Sequence, residues 1–216
     1  MINTAGVYSY AFYGSKTMEE TKFLVPQDVY LKAGIHIGTK FKTKHMGQFI
    51  YKTRPDGLSV LNLQKINERI DIAADVLSKY EPEDILVVSR RENGWKAVKK
   101  FGKMTGTKFF IGRYPPGILT NSNLDNFIEV KIILVTDSWP DRNAINDALK
   151  IGITVIALCD TNNQANNIDL VVPCNNKGKK SLGLLFYILT REYMKKRGMI
   201  KTDEDFKAKI EDFTEE

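Results

Sequence analysis

Cysteine and histidine are scarce in this chain of 216 residues, which contains two of each. Cys159 and Cys174 lie in or beside apolar runs typical of strands, whereas His36 and His45 lie far upstream. So few residues, so far apart, cannot supply a disulfide framework or the four ligands of a structural zinc site. We therefore expect buried thiols, a reducing cytoplasmic compartment, no metal site and no other cofactor.

Long apolar runs and phosphate-binding loops are absent as well. No run approaches the ~18 apolar residues that a membrane helix needs. The amino terminus lacks the basic region and apolar stretch of a signal peptide. Neither G-x-x-x-x-G-K-[ST] nor G-x-G-x-x-G occurs, although such glycines free the backbone N–H groups that cradle a phosphate. We expect no membrane partner and no small-molecule substrate.

Charge is plentiful and unevenly distributed along the chain. The formal net charge is +6, but residues 201–216 hold 3 basic and 7 acidic residues, whereas residues 1–200 hold 29 and 19. A basic body suits a polyanionic partner. The uneven charge and the pattern described next predict an amino-terminal extension over residues 1–27, one α/β domain over 28–198 and an acidic tail over 199–216.

Apolar periodicity organises the central part of the chain. Unbroken apolar runs predict five strands, at residues 85–89, 107–111, 131–136, 153–158 and 170–172. Three-to-four spacing predicts helices near residues 62–80, 92–104, 140–150 and 181–196. Shorter elements are predicted upstream, a helix near 27–32 and strands near 49–52 and 58–61. The third long helix is predicted to bury Ala144, Ile145, Ala148 and Leu149. This alternation predicts an α/β domain with a mainly parallel sheet.

Residues 29–56 form the most distinctive stretch, because cations alternate there with aromatic and apolar residues. Its basic residues are Lys32, Lys40, Lys42, Lys44, Lys52 and Arg54. Such a stretch suits a polyanion, since cations neutralise phosphates while apolar residues anchor the segment to its own domain. The same pattern is also typical of a solvated loop. An aromatic cluster at Tyr8, Tyr10, Phe12 and Tyr13 is expected to order, if at all, on a neighbouring molecule.

Polar residues follow each predicted strand, at the edge where open parallel sheets bind ligands. Asp137 and Asp160 could hold a metal or serve as acid and base, with Arg91 and Arg113 binding a phosphate, as in an α/β enzyme. Aspartates at strand ends also commonly cap the next helix or loop. A third interpretation is a protein-interaction module that uses the two termini.

An RNA-binding surface is the remaining interpretation of this edge, because arginines and lysines bind phosphates while asparagines and threonines donate to phosphate or 2′-OH groups. The candidate RNA-binding residues are Lys40, Lys42, Lys44, Arg54, Arg90, Arg91, Arg113, Lys177, Lys179 and Lys180.

Several segments resemble motifs of one family. Residues 30–38 read Y-L-K-A-G-I-H-I-G, residues 113–121 fit R-x-x-P-G-x-L-T-N, and residues 137–141 read D-S-W-P-D. In order and spacing, these segments resemble the ribosomal protein S2 family over about residues 27–197. The chain departs from the family pattern at Asp147, where Glu is usual, at Thr154, where Pro is common, and at Trp139, which is bulkier than usual.

The resemblance implies a three-layer, flavodoxin-like fold in a structural constituent of the small ribosomal subunit. It further implies binding to small-subunit ribosomal RNA and to neighbouring ribosomal proteins, in support of subunit assembly and translation, without catalysis. Only about ten residues separate Asn121 from the third predicted strand. The long helical hairpin of the bacterial branch is therefore missing, as in the archaeal and eukaryotic branch.

Overall fold

The computed structural model describes residues 23–214, so the predicted aromatic cluster near the amino terminus lies outside the described residues. The strands are β1 Ile50–Thr53, β2 Ser59–Leu61, β3 Ile85–Ser89, β4 Lys108–Ile111, β5 Ile132–Val135, β6 Thr154–Cys159 and β7 Leu170–Pro173. The α-helices are α1 Gln27–Ala33, α2 Leu63–Ser78, α3 Glu92–Thr105, α4 Arg142–Ile151 and α5 Lys179–Lys196. Short 3-10 helices span Met46–Phe49, Pro82–Asp84, Asp203–Asp205 and Ile210–Phe213.

The main sheet has five parallel strands in the order β4-β3-β5-β6-β7. Every residue of β3 and β5 is buried, as expected for strands covered on both faces. The sheet confirms the predicted α/β class, and the arrangement is consistent with a three-layer, flavodoxin-like domain. The strand order also places a topological switch point between β3 and β5, because the chain leaves these two neighbours in opposite directions.

The helices cover both faces of the sheet. The crossovers through α3 and α4 run in opposite directions along the sheet, so right-handed connections put these helices on opposite faces. Helices α2 and α3 both pack on α5. Within that layer Phe101 contacts Phe186 and Tyr193, with ring centroids 5.8 and 6.1 Å apart. Among the described residues no helix is long and apolar enough to cross a membrane.

Helix α4 buries less of its predicted apolar stripe than expected. Ala144, Ile145 and Ala148 are buried, but Leu149 is 55% exposed, so the prediction for Leu149 was wrong. The helix packs mainly on β5 and β6, and Leu149, one position beyond Ala148, faces away from them. A helical period identifies the buried stripe but does not set how wide it is.

The carboxyl-terminal segment packs against the helices of the domain. Phe213 is 1% exposed, and both Phe206 and Phe213 meet the ring of Tyr187 edge-on, at centroid distances of 5.3 and 6.0 Å. Asp203 pairs with Arg191 at 3.2 Å, so part of the acidic charge is neutralised within the molecule. The predicted division into residues 1–27, 28–198 and 199–216 stays a prediction.

Candidate nucleic-acid interface

The switch point between β3 and β5 is occupied by a partly buried ion pair. Arg91 follows β3, Asp137 follows β5, and the guanidinium Nε lies 2.5 Å from the carboxylate. The other carboxylate oxygen accepts hydrogen bonds from the Asn163 amide at 2.8 Å and from the backbone N–H of Trp139 at 3.1 Å. Asp137 is 1% exposed. The crevice in which such folds usually hold a ligand is therefore crossed by the protein's own side chains.

A second buried carboxylate lies at the carboxyl end of β6, the next strand along this edge. Asp160, which follows β6, accepts from the backbone N–H of Thr161 at 2.6 Å and pairs with Lys177 at 3.0 Å. Asn163 accepts from the backbone of Asp160 at 2.8 Å and from Asn176 at 3.1 Å. Both aspartates suggested for an enzyme thus serve to join the loops after β5, β6 and β7. A charge left buried without such partners would be strongly destabilising.

The basic loop of residues 38–45 is docked on this closed edge. The Thr39 backbone donates to the Thr161 hydroxyl, and the Thr43 backbone to the Thr161 carbonyl, both at 2.9 Å. The Thr43 hydroxyl donates to the Asn163 carbonyl at 2.8 Å. Gly38 makes the approach possible, since a Cβ there would lie 2.4 Å from Thr161 Cγ2. These contacts hold a cationic loop beside the carboxyl ends of the strands.

Most of the predicted RNA-binding residues are exposed along or beside this edge. The exposed ones are Lys40, Lys42, Lys44, Arg54, Arg90, Arg113, Lys179 and Lys180. Lys40, Lys42 and Lys44 lie on the docked loop, Arg90 and Arg113 follow β3 and β4, and Lys179 and Lys180 begin α5 after β7. The remaining two candidates, Arg91 and Lys177, are half-buried and form the ion pairs just described. Whether any of the ten touches RNA stays a prediction.

Some of these exposed cations, Arg54 and Arg90 among them, also have partners within the protein. Arg54 lies 3.4 Å from the Asp56 carboxylate in a solvent-exposed pair of the kind that contributes little stability. The Arg90 guanidinium donates to the Pro140 carbonyl at 3.4 Å. Both side chains remain on the surface and retain donors for a further acceptor, since a guanidinium carries five N–H groups.

A third aspartate lies beneath this surface. Asp141 is 1% exposed and accepts only a long hydrogen bond, 3.3 Å, from the Arg90 backbone; its second oxygen is buried without a partner in the described part of the chain. Burial raises the pKa of Asp141 from 3.8 to about 7, because the charged form is desolvated. Asp137 adds to the effect by repulsion. In the folded protein Asp141 is thus mostly protonated below about pH 7.

Burial also shifts the pKa values of the cysteine thiols and of His36. Cys159 and Cys174 are buried, as predicted, and burial raises the pKa of the Cys159 thiol to about 12. A thiol with such a raised pKa is a poor nucleophile. Burial also lowers the pKa of His36. Within residues 23–214, no group of three or more His, Cys, Asp or Glu side chains is placed to hold a metal ion.

Comparison with known proteins extends over most of the chain. The family described as "Ribosomal protein S2" matches residues 30–130 and 128–195. The chain belongs to the ribosomal protein S2 family. A protein of Nanoarchaeum equitans is 51% identical over 190 residues, covering 88% of this chain and 94% of that protein. One of Picrophilus torridus is 47% identical over 196 residues, covering 91% and 98%. Both are named small ribosomal subunit protein uS2.

The segments that resemble ribosomal protein S2 motifs mostly support the fold. Tyr30 is buried and donates to the Asn67 side chain at 2.9 Å, and Gly34 ends α1 in the left-handed conformation. Asp147, which stands where the ribosomal protein S2 family usually has Glu, accepts from the Gly117 backbone at 2.7 Å and thereby joins α4 to the loop after β4. Residues 121–131 contain no helix or strand, so no hairpin precedes β5.

Sequence reasoning missed the residues that attach the basic loop. These residues are Gly38, Thr39 and Thr43, which lie beside the lysines of the basic loop. Their contacts are with Thr161 and Asn163, 120 residues or more away in the chain. The only signal for them was the amide-rich run at residues 162–167, which indicates a polar loop without indicating its partner.

Proposed function

We propose that this protein is a structural constituent of the small ribosomal subunit. It binds small-subunit ribosomal RNA through the cations at the carboxyl ends of its strands, contacts neighbouring ribosomal proteins and performs no catalysis. It thereby supports subunit assembly and translation, and it resides on the ribosome in the cytoplasm. The names of its relatives, small ribosomal subunit protein uS2, support this assignment.

One observation carries the RNA-binding part of the proposal. At the edge where a flavodoxin-like enzyme would hold its ligand, Asp137 and Asp160 are buried in ion pairs with Arg91 and Lys177, and the loop of residues 38–45 lies over them. The other candidate cations at that edge are exposed. Buried ion pairs fill the place of a ligand crevice at this edge, and exposed cations surround them. Such an edge suits a broad polyanionic surface better than a small ligand.

The termini supply the protein contacts in this proposal. Residues 1–27 form an extension whose aromatic residues pack on a neighbouring ribosomal protein, residues 28–198 form the RNA-binding domain, and residues 199–216 form the acidic tail. Exposed acidic groups such as Glu211 can face the basic surfaces that ribosomal RNA-binding proteins present. Removing the amino-terminal extension, or replacing an exposed acidic residue such as Glu211 with Gln, is therefore expected to weaken incorporation into the subunit more than it weakens binding to RNA.

Charge-neutralised variants test the RNA-binding face. Replacing Lys40, Lys42 and Lys44 with Gln should lower the affinity for small-subunit RNA. If each lysine contacts one phosphate, the slope of log K against log salt should fall by about 2–3, since each contact contributes about 0.7–0.9. Filter binding between 50 and 300 mM salt measures both quantities.

A matched triple variant at the opposite edge of the sheet serves as the control. Lys103, Lys108 and Lys131 are exposed near the amino ends of the strands, and their replacement with Gln removes the same charge. This control should bind RNA with a nearly unchanged slope. Equal slopes for the two triple variants would show that the assigned face is wrong, and no salt-sensitive RNA binding by the intact protein would refute the function itself.

A further inference from the structure

A cavity of about 390 Å³ opens between the loop after β5, the start of α4 and the loop after β6. The side chains that line it include those of Trp139, Arg142, Asn146, Gln164, Asn166 and Asn167. The volume lies within the ~300–1,000 Å³ typical of pockets that hold small organic groups. None of the ten predicted RNA-binding residues lines this cavity, so its lining adds residues to those candidates.

Several side chains around this cavity have no competing partner in the described part of the chain, whereas Ser138, Asn162 and Asn163 are hydrogen-bonded within the protein. Trp139 is 73% exposed, which is rare for so large an aromatic residue. In the part of the chain that the structure describes, the guanidinium of Arg142 makes no ion pair or side-chain hydrogen bond. The same holds for the amide side chains of Asn146, Gln164, Asn166 and Asn167. An aromatic face, a cation and four amides are thus available to a ligand.

The cavity is continuous with the basic face. Gln164 and Asn166 line it and also line a shallower groove beside Lys44, His45 and Gln48. A chain that entered the cavity could therefore continue along the groove toward the lysines of the docked loop. Alternating aromatic and cationic contacts along a groove are typical of proteins that bind single-stranded nucleic acid.

We propose that this cavity receives an unpaired base of a single-stranded RNA segment, an inference that rests on the proposed RNA-binding function and names the form of RNA bound there. The base stacks on Trp139, its polar edge meets the amides of Asn146 and Asn167, and the flanking phosphates lie near Arg142 and Lys44. Amide side chains suit a base edge because each offers both donors and an acceptor.

Two alternatives fit these groups less well. Bases in an RNA duplex are stacked on one another, so their faces cannot reach an aromatic side chain set in a recess. An acidic peptide could pair its carboxylates with Arg142, but those carboxylates offer no aromatic face to stack on Trp139.

Tryptophan fluorescence provides a direct test, because the chain has only two tryptophans, Trp95 and Trp139. In the Trp95→Phe variant of the full chain, Trp139 is the single reporter. We would titrate this variant with a single-stranded RNA heptamer of mixed sequence, a hairpin RNA of matched length in its stem, and an acidic heptapeptide. The heptamer should quench the fluorescence, whereas the hairpin should bind in a salt-sensitive manner without quenching.

Substitutions then separate stacking from general charge. Trp139→Ala should weaken heptamer binding about tenfold, the loss expected for one stacked base, while Trp139→Phe retains most of the affinity. Asn167 has a φ of 61°, a conformation that glycine adopts without strain, so Asn167→Gly removes the amide and leaves the backbone in place. That variant should weaken heptamer binding severalfold. Met199→Ala, at an exposed apolar residue beyond α5, is the control and should change nothing.

The results discriminate between the possible outcomes. The base-binding cavity would be refuted if the hairpin quenched the fluorescence as strongly as the heptamer. It would also be refuted if Trp139→Ala lowered the affinity for both RNAs equally. Quenching by the acidic peptide alone would make the cavity a protein contact, which also refutes it. If both RNAs bind in a salt-sensitive way while Trp139 stays silent, this inference fails and the proposed RNA-binding function stands. Failure of all RNA binding would instead refute that function.

Discussion

Replacing Gly38 with Ala tests whether the docked loop depends on one close approach. The added Cβ would lie 2.4 Å from Thr161 Cγ2 and 3.0 Å from the Ser59 carbonyl oxygen. Thr161 is fully buried and the Ser59 oxygen belongs to the backbone of β2, so neither can move away easily. The loop must therefore shift away from the edge of the sheet.

The expected cost follows from the contacts at risk. Overpacking of this kind costs about 1–3 kcal/mol. If the loop leaves instead, it forfeits the hydrogen bonds from Gly38 to Ser59 at 2.8 Å and from Thr39 and Thr43 to Thr161, each 2.9 Å. Three such bonds contribute about 1 kcal/mol each, so this route costs about 3 kcal/mol, at the upper end of the overpacking range. For a protein of this size, 2 kcal/mol lowers Tm by about 4–8 °C.

The assay is equilibrium unfolding in urea, followed by RNA binding of the folded variant. Gly38→Ala should unfold at a lower urea concentration and bind small-subunit RNA more weakly, because Lys40, Lys42 and Lys44 lose their fixed positions. The control is Gly47→Ala in the same basic segment, where a Cβ meets nothing within 4 Å and φ is not positive. A free energy of unfolding within 0.5 kcal/mol of wild type for Gly38→Ala would refute the reasoning.

Two further predictions concern other parts of the molecule. The pKa of Asp141 is about 7 in the folded state against 3.8 in the unfolded state, so between these pH values the folded state holds a proton that the unfolded state releases. The stabilisation that this proton gives is therefore fully present below pH ~4 and is lost as the pH rises to ~7. Urea titrations at several pH values would give the free energy of unfolding of wild type and of Asp141→Asn. The wild-type value minus the variant value should fall over this window by up to roughly 4 kcal/mol, at 1.36 kcal/mol per pH unit. A difference that does not change with pH would contradict this. Gly183 on α5 would bring a Cβ to 2.4 Å from Thr214 Cγ2 and 3.1 Å from the Phe213 carbonyl, so Gly183→Ala should release the carboxyl-terminal segment at a cost of about 1–3 kcal/mol. Faster trypsin cleavage at Lys207 and Lys209 would reveal the release, and an unchanged cleavage rate would count against the packing described.

Local pattern predicted the elements of this protein well. The five strands and four long helices appear within a few residues of their predicted bounds, because buried parallel strands and amphipathic helices have distinct periods. Gly34 and Gly152 end α1 and α4 in the left-handed conformation, as glycine after a helical stripe predicts. The prediction failed at Leu149, since how far a helix is covered depends on its neighbours and not on its own period.

The candidate site was only half visible from the amino-acid sequence. Arg91, Asp137, Asp160 and Lys177 could be placed at one edge of a parallel sheet, because strand ends meet there. Whether these side chains faced a ligand or one another depended on distances between loops, and charge patterns carry no such information. The cavity beside Trp139 was not visible at all, because its walls come from two loops whose approach depends on how β5 and β6 pair.

The amino-acid sequence by itself determined the α/β class, the positions of the elements, the basic character of the body and the resemblance to ribosomal protein S2. These properties depend on composition, on residue periodicity and on short motifs, all of which are local. Only the tertiary structure decided that Asp137 and Asp160 are closed into ion pairs and that the basic loop lies over them at Gly38. Those outcomes depend on contacts between residues far apart in the chain, which form when parallel strands bring their carboxyl ends to a common edge.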